Sequence, residues 1–233
     1  MKKFTNNISI GQTCIAPDYV VIVGNEARQK EVLAALIKEV QTQYPGDVLL
    51  HPEYARVVNE KHYARVESLL KSGGKVLLGG KCFPEHRCIE PTIIVDCHPD
   101  SAILSEEIFG PLLPVVGFPD ADEAIAYIRS KPKPLTLYVF SSNQKKADYV
   151  LSRTSSGSAC VNEAVFQFLN PGLPFGGIGP SGSGAYHGEA SFREFSHQKS
   201  IVYRSTFADL PIRYLPHVGE EWVQRLFTFL LRA

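Results

Sequence analysis

The stretch from residue 113 to residue 161 alternates strand and helix patterns, and this order constrains the fold more than any other feature of the sequence. Short apolar runs predict strands at 113–118, 135–140 and 159–161. Between them, Asp120 and Asn143 stand where helices begin, and both are favoured N-cap residues. Strands and helices in turn predict an α/β fold with a mainly parallel sheet covered by helices.

The first half of the chain carries the same two patterns. Residues 19–23 form an apolar, β-branched run that is typical of a buried strand, and Asn25 precedes a stretch with one apolar helical face. A shorter helix is predicted at 60–71, with strands at 75–78 and 92–95. Open α/β sheets bind ligands at the carboxyl ends of their strands, so we expect the functional site there.

The last third of the chain is less regular. Prolines and glycines between 170 and 188 predict an ordered loop, whereas residues 195–204 have strand character. A short helix is predicted from about Gly219. The most apolar stretch, 222–231, is about half as long as a bilayer span requires, so we predict no firm membrane segment.

The charge balance argues against one class of partner. Lys+Arg and Asp+Glu each total 24 in the 233 residues, and no basic run offers the electrostatic footprint that nucleic-acid binding requires. The five cysteines are irregularly spaced, and no apolar leader follows Met1. These features predict free thiols in a reducing, cytoplasmic setting. The length suits one α/β domain with a small appendage.

Three motifs carry candidate chemistry. Residues 11–19 (Gly-Gln-Thr-Cys-Ile-Ala-Pro-Asp-Tyr) place Cys14 in a polar turn, where a thiol can ionise, although a lone cysteine is more often a small buried hydrophobe. Residues 106–111 (Glu-Glu-Ile-Phe-Gly-Pro) begin with an acidic pair, and such a pair by itself is more often a solvated helix end. Phe175 lies in Leu-Pro-Phe-Gly-Gly at 173–177, where an aromatic side chain usually packs.

In this order, the motifs resemble the aldehyde dehydrogenase superfamily, most of all its class 3 branch. The third motif continues through Ser-Gly-Ser-Gly-Ala-Tyr-His-Gly at 181–188 to Phe-Ser-His at 195–197, so the resemblance covers residues 9 to about 204. It implies the three-layer, mainly parallel α/β fold of the family's catalytic domain. The family's nucleophile lies past the middle of the chain, so the resemblance also implies that the cofactor-binding Rossmann domain is missing.

The resemblance implies roles for four residues. Cys14 is expected to be the nucleophile that adds to the aldehyde carbonyl and then carries the acyl group as a thioester. Glu107 is expected to hydrogen-bond the nicotinamide ribose of NAD or NADP, and Phe109 to pack near that cofactor. Phe175 is expected in the substrate pocket. The implied substrates are medium or long aliphatic or aromatic aldehydes, oxidised to carboxylic acids.

The resemblance further implies an organisation of the chain. It predicts a catalytic domain over residues 1–190, an oligomerisation strand region over 191–204 and a C-terminal tail over 205–233. Class 3 relatives are dimers, so we expect a homodimer. Because some class 3 relatives are held to membranes by C-terminal tails, membrane association is an alternative to the cytoplasmic setting.

Two other hypotheses stay open. Without a dinucleotide-binding domain, the chain by itself is expected to be an inactive remnant or an interaction module, with apolar surface exposed where the other half would pack. A zinc site is a minor alternative, although its cysteines lack the C-x2-C spacing of structural zinc sites. Its candidate ligands are Cys82, His86, Cys88, Cys97 and His98.

Overall fold

The computed structural model describes residues 10–207, 209 and 214–231, in which strands and helices follow the predicted order. The eight strands in these residues are β1 (Val20–Val23), β2 (Lys75–Leu78), β3 (Cys82–Phe83), β4 (Cys88–Ile89), β5 (Thr92–Val95), β6 (Leu112–Phe118), β7 (Thr136–Val139) and β8 (Ser158–Val161). The α-helices in the same residues are α1 (Glu26–Gln43), α2 (Glu60–Lys71), α3 (Ala121–Ser130), α4 (Gln144–Leu151), α5 (Phe166–Leu169), α6 (Gly188–Glu194) and α7 (Glu221–Leu230).

Helices α1 to α4 each begin after a side chain that caps them. The capping residues are Asn25, Asn59, Asp120 and Asn143, and each side-chain oxygen accepts a backbone N–H of the first turn at 2.8 to 3.3 Å. These bonds satisfy amides that lack an acceptor inside the helix. Three of these caps, at positions 25, 120 and 143, confirm the predicted helix starts.

Four strands form the main sheet in the order β1-β6-β5-β2. The central strand β6 runs parallel to β1, with Val20 opposite Val115, and parallel to β5, with Thr92 opposite Leu112. Strand β2 is the antiparallel edge. Strands β7 and β8 form a separate parallel pair, and β3 and β4 form a small antiparallel hairpin. Parallel pairs dominate, which confirms the predicted fold class.

The two central strands of the main sheet, β5 and β6, are buried on both faces over most of their length. Successive residues of β5 point in opposite directions, so Ile93 packs in a cluster with Leu36 of α1, whereas Ile94 packs in a cluster with Val66 of α2. Helix, sheet and helix therefore form three layers, as predicted. The same packing explains why β5 consists of β-branched residues, three of which are apolar.

The strand predicted over residues 195–204 does not form within the described chain. Residues 191–194 belong to α6, and 197–204 have no regular secondary structure. A strand is stable only when a neighbouring strand satisfies its amides and carbonyls, and β-propensity alone does not supply that neighbour. The predicted role of this region in oligomerisation is a separate matter and stays a prediction.

The chain divides into two compact units, residues 1–195 and 196–233. In the second unit, helix α7 confirms the helix predicted from about Gly219. Of the predicted tail, residues 208, 210–213 and 232–233 lie outside the described part of the chain. No helix in the described residues is both long enough and apolar enough to cross a bilayer.

Candidate active site

Residues 10–19, here called the Cys14 segment, enter the site through an unusual backbone turn. Ile10 and Gly11 both have positive φ, at 50° and 81°. A Cβ atom on Gly11 would lie 2.3 Å from the carbonyl oxygen of Gly110, so only glycine fits at this position. This close approach sets the Cys14 segment against the loop at 105–111.

Cys14 itself is exposed in a tight turn. The backbone N–H of Ala16 donates to the carbonyl of Thr13 at 2.8 Å, so Cys14 lies inside the turn, while the next residue, Ile15, is buried. The structure therefore agrees with the sequence-based interpretation of a thiol in a polar turn rather than in the core.

The other four cysteines differ from Cys14 in exposure. Cys88 is fully buried in the hairpin, and Cys82, Cys97 and Cys160 are half-buried. Burial raises the pKa of each of these four thiols, because water no longer solvates the thiolate. All five cysteines are described, and Cys14 is the one that a dissolved electrophile reaches most easily.

Gln12 ties the start of the Cys14 segment to the chain near residue 57. Its side-chain amide donates to the carbonyl of Arg56 at 3.0 Å and accepts from the N–H of Val58 at 2.9 Å. The side-chain amide of Gln12 thus makes one donor and one acceptor bond to the backbone on either side of residue 57, as a residue on a neighbouring β-strand would. The two bonds fix the segment two residues before the thiol.

Asp18 ties the end of the Cys14 segment to the 105–111 loop. Its Oδ1 accepts the N–H of Ile108 at 2.8 Å. Withdrawal from water raises the pKa of this carboxyl group to about 6. The hydrogen bond from Ile108 and the positive charge of Arg65 lower the pKa in part, whereas the negative charge of Glu107 raises it further. Asp18 therefore connects the Cys14 segment to the loop by a hydrogen bond, and burial of its carboxylate costs free energy because water no longer solvates the charge.

Helix α2 also holds the 105–111 loop. Arg65 donates to the carbonyl of Glu107 at 3.1 Å and also to the carbonyl of Ile108, and it forms an ion pair with Glu106 at 3.7 Å. Nε2 of His62 lies 2.7 Å from the carbonyl oxygen of Phe109. A carbonyl only accepts, so Nε2 carries the proton. These bonds stabilise Phe109 at its φ of 52°.

The structure places the loop that carries Glu107 and Phe109 against the Cys14 segment, and contact of these two residues with a cofactor stays a prediction. Glu107 is exposed and Phe109 is half-buried with its ring beside that of His62, at 6.0 Å between centroids. The contacts of Gly11 and Asp18 with Gly110 and Ile108 bring the two motifs together. The carboxylate of Glu107 is therefore accessible to a ligand, whereas Phe109 is partly covered.

Phe175 lies in an aromatic cluster rather than on an open surface. It is 4% exposed, and its backbone pairs with Tyr186 through two hydrogen bonds of 2.9 Å. Its ring packs against Phe168 at 5.1 Å, Tyr186 at 5.7 Å and His187 at 6.0 Å between centroids. Within the described residues, this environment is that of a packed aromatic, and contact with substrate stays a prediction.

Several residues that shape the site were not predicted from the sequence. Asp18, His62 and Arg65 act on the backbone of the 105–111 loop, and Tyr138 donates to the carbonyl of Ile15 at 2.9 Å. The one available signal was Asp18, a lone acid directly before an apolar strand. A charged residue at the edge of a core usually has a partner.

The alternative zinc ligands do not assemble in the described structure. Cys82 and Cys88 lie on the paired strands of the hairpin, where Cys82 is opposite Ile89 and Cys88 is opposite Phe83, so the two cysteines are not cross-strand partners. No group of three or more His, Cys, Asp or Glu residues is placed to hold a metal ion in the part of the chain that the structure describes.

Comparison with known proteins gives the same relationship as the motifs. A family model described as the aldehyde dehydrogenase family matches residues 3–201. Aldehyde dehydrogenase family 3 member A2 of Mus musculus is 40% identical over 97% of this chain and 46% of its own length. The Mus musculus protein named aldehyde dehydrogenase, dimeric NADP-preferring, is 43% identical over 87% of this chain and 44% of its own length.

A solved structure is similar to this chain in both fold and sequence. The substrate-bound state of Staphylococcus aureus AldH matches with a TM-score of 0.82 and 40% identity, over 97% of this chain and 48% of that chain. The chain thus spans about half the length of the relatives that it matches. With a family match over most of its residues and a family 3 member among its relatives, this chain belongs to the aldehyde dehydrogenase family, as its class 3 motifs predicted.

Proposed function

We propose that this chain supplies the nucleophilic cysteine for the NAD(P)-dependent oxidation of aldehydes to carboxylic acids. The observation that carries the proposal is the exposed thiol of Cys14 in a turn that is fixed against the 105–111 loop. A reactive cysteine must be accessible and must be held in one position, and Cys14 meets both conditions.

The thiolate of Cys14 adds to the aldehyde carbon, and the carbonyl oxygen becomes an oxyanion that needs hydrogen-bond donors. We assign one donor to the backbone N–H of Cys14, which lies in the same turn. NAD or NADP, when bound beside this adduct, would supply the hydride acceptor for its oxidation to a thioester on Cys14. Hydrolysis of that thioester then releases the carboxylic acid and restores the Cys14 thiol.

The cofactor contacts in this proposal come from the 105–111 loop. Glu107 is exposed, and a carboxylate accepts hydrogen bonds from ribose hydroxyl groups. The half-buried ring of Phe109 offers a flat apolar surface two residues further along the same loop. These side chains fit the nicotinamide end of NAD or NADP, and nothing in the loop discriminates between the two.

We also propose that Phe175 borders the aldehyde site, and that residues 191–204 join two subunits. One relative is named as dimeric. The side chains of Phe195, Val202 and Tyr203 support an interface, because they are 88%, 91% and 91% exposed in the single chain. Exposed apolar side chains of this kind favour contact with another protein.

The first experiment separates nucleophile chemistry from the complete oxidation. The purified chain is treated with p-nitrophenyl acetate, an activated ester whose reaction needs no cofactor. The expected result is release of nitrophenol together with one acetyl group on Cys14, and the loss of both in Cys14→Ala. Cys160→Ala is the matched control, because it removes a half-buried thiol on β8.

A second measurement decides between an active enzyme and the non-catalytic alternative. Reduction of NAD or NADP is followed with an aliphatic and an aromatic aldehyde. Aldehyde-dependent reduction that is lost in Cys14→Ala supports a working dehydrogenase. Acetylation without reduction identifies a chain that carries the nucleophile but does not complete the oxidation. If Cys14 is not acetylated at all, the proposed function is wrong.

A further inference from the structure

A chain of polar contacts reaches the turn that contains Cys14 from strand β7 and helix α5. The hydroxyl of Tyr138 lies 2.9 Å from the carbonyl oxygen of Ile15. The side-chain nitrogen of Gln167 lies 3.3 Å from that hydroxyl and 2.8 Å from Oγ1 of Thr136. Tyr138 and Gln167 lie outside the three motifs that the chain shares with its family.

The chemistry of the groups fixes the direction of these hydrogen bonds. The carbonyl of Ile15 can only accept a hydrogen bond, so the hydroxyl of Tyr138 is the donor. The oxygen of Tyr138 is then free to accept, and the amide nitrogen of Gln167 donates to it. Gln167 is 7% exposed, and within the described residues its Oε1 has no hydrogen-bond partner. The Gln167 amide therefore orients Tyr138 through its nitrogen, although its buried oxygen stays without a partner at a cost in free energy.

This contact fixes one peptide group from both ends. The peptide between Ile15 and Ala16 donates its N–H to Thr13 at 2.8 Å and accepts the Tyr138 proton on its C=O. Because the peptide group is planar, two bonds at opposite ends define its orientation. Cys14 lies within this turn, and its backbone N–H belongs to the Thr13–Cys14 peptide group, whose carbonyl accepts the N–H of Ala16.

We propose that Tyr138 is a positioning residue for Cys14 and that Gln167 acts through Tyr138. The inference rests on the proposed role of Cys14 as nucleophile and deepens it. The same helix that carries Gln167 also carries Phe168, whose ring packs against Phe175 at 5.1 Å. Helix α5 therefore links the turn of the nucleophile to the loop in which we place the aldehyde.

The test is the rate at which p-nitrophenyl acetate acetylates Cys14 in four proteins: the wild type, Tyr138→Phe, Gln167→Leu and the double variant. Tyr138→Phe removes one oxygen atom and keeps the ring. The expected effect is a fall of about three- to tenfold in the acetylation rate at saturating ester, with the half-saturation concentration unchanged. The double variant is expected to be no slower than Tyr138→Phe, because residues that act through one contact are not additive.

Tyr149→Phe is the matched control. It removes a tyrosine hydroxyl that donates to Asp122 in an exposed hydrogen bond. We expect it to leave the acetylation rate unchanged. A general loss of stability would instead lower the unfolding midpoint and change the reactivity of all the thiols together. It would not lower the maximal acetylation rate of Cys14 alone while the half-saturation concentration stays unchanged.

Two results would overturn the inference. One is a Tyr138→Phe protein whose Cys14 reacts as fast as the wild-type thiol, and the other is a double variant in which the two effects simply multiply. Failure of the proposed function gives a different result, in which wild-type Cys14 is not acetylated. In that case the comparison is made by alkylation of Cys14 with iodoacetamide, and the same fall in Tyr138→Phe is expected.

Discussion

The Cys14 segment and residues 196–207 both lack helices and strands in the described structure, yet their environments are opposite. The Cys14 segment has side-chain hydrogen bonds to residues 44 to 123 positions away in the sequence. Every residue from 196 to 207 is exposed, and a representative bond there is local, from the N–H of Phe207 to Oγ of Ser205. Irregular backbone is thus rigid where remote partners hold it and available for contacts where they do not.

The largest effect is expected where the Cys14 segment touches the 105–111 loop. In Gly11→Ala, the new Cβ meets the carbonyl oxygen of Gly110 at 2.3 Å and residue 11 keeps a φ of 81°. We expect the free energy of unfolding to fall by about 3–5 kcal/mol, as in severe backbone strain or overpacking. Urea titration measures the change.

Gly46→Ala is the matched control for that substitution. Gly46 has nearly the same φ, 80°, but a Cβ added there would meet no atom within 4 Å beyond its chain neighbours. Only the cost of left-handed backbone applies, and we expect a loss of about 1–2 kcal/mol. Equal losses in the two variants would mean that the close approach to Gly110 does not hold the Cys14 segment.

A smaller effect is expected at Asp18. Asp18→Ala leaves the N–H of Ile108 without its acceptor, which should cost about 1–3 kcal/mol of unfolding free energy. Asp18→Asn keeps an oxygen that accepts this N–H and should cost less. If both variants lose the same stability, the hydrogen bond to Ile108 contributes nothing measurable.

The pH dependence of stability sharpens the test at Asp18. The pKa of this carboxyl group is about 6 in the folded protein against an ordinary value of 3.8, so the folded state binds a proton that the unfolded state releases between these values. Stability from this group is therefore present below pH 4 and is lost as the pH rises through 6. We expect the wild type to gain about 1–2 kcal/mol relative to Asp18→Asn between pH 7 and pH 4. A pH-independent difference would contradict this account.

The smallest effect on folding is expected in residues 196–207. Val202→Glu changes a side chain that is 91% exposed, and we expect its free energy of unfolding to stay within about 0.5 kcal/mol of the wild-type value when measured on the monomer. If the segment joins subunits, the same variant shifts a dimer to a monomer in light scattering. Lys199→Glu, in the same exposed segment, controls for charge. A stability loss in monomeric Val202→Glu would show that this segment is packed.

The sequence predicted the fold well because the fold depends on local signals. The cap at Asn143, the β-branched run at 92–95 and the alternation that follows residue 113 each act within a few residues. It also placed Cys14 in a polar turn. It failed at 195–204, where strand character needs a partner strand, and at the two-residue strands β3 and β4, which are too short to show a period.

The architecture of the candidate site was less predictable for a physical reason. Gln12, Asp18 and Tyr138 hold the Cys14 segment, but each of these bonds joins residues that lie between 44 and 123 positions apart. No periodic pattern connects such residues, and each bond goes to a backbone group that nearly every residue type carries. Motifs identify the reactive side chains, whereas the contacts that orient them emerge only from the folded chain.

The most direct test of the central claim is the reactivity of each cysteine in the native protein. The chain is treated with iodoacetamide at neutral pH, and peptide masses give the alkylation rate at Cys14, Cys82, Cys88, Cys97 and Cys160. We predict that Cys14 reacts at least about tenfold faster than the half-buried thiols, and that Cys88 reacts only after unfolding. A Cys14 that reacts no faster than Cys82, Cys97 or Cys160 would contradict the account of an exposed, positioned nucleophile.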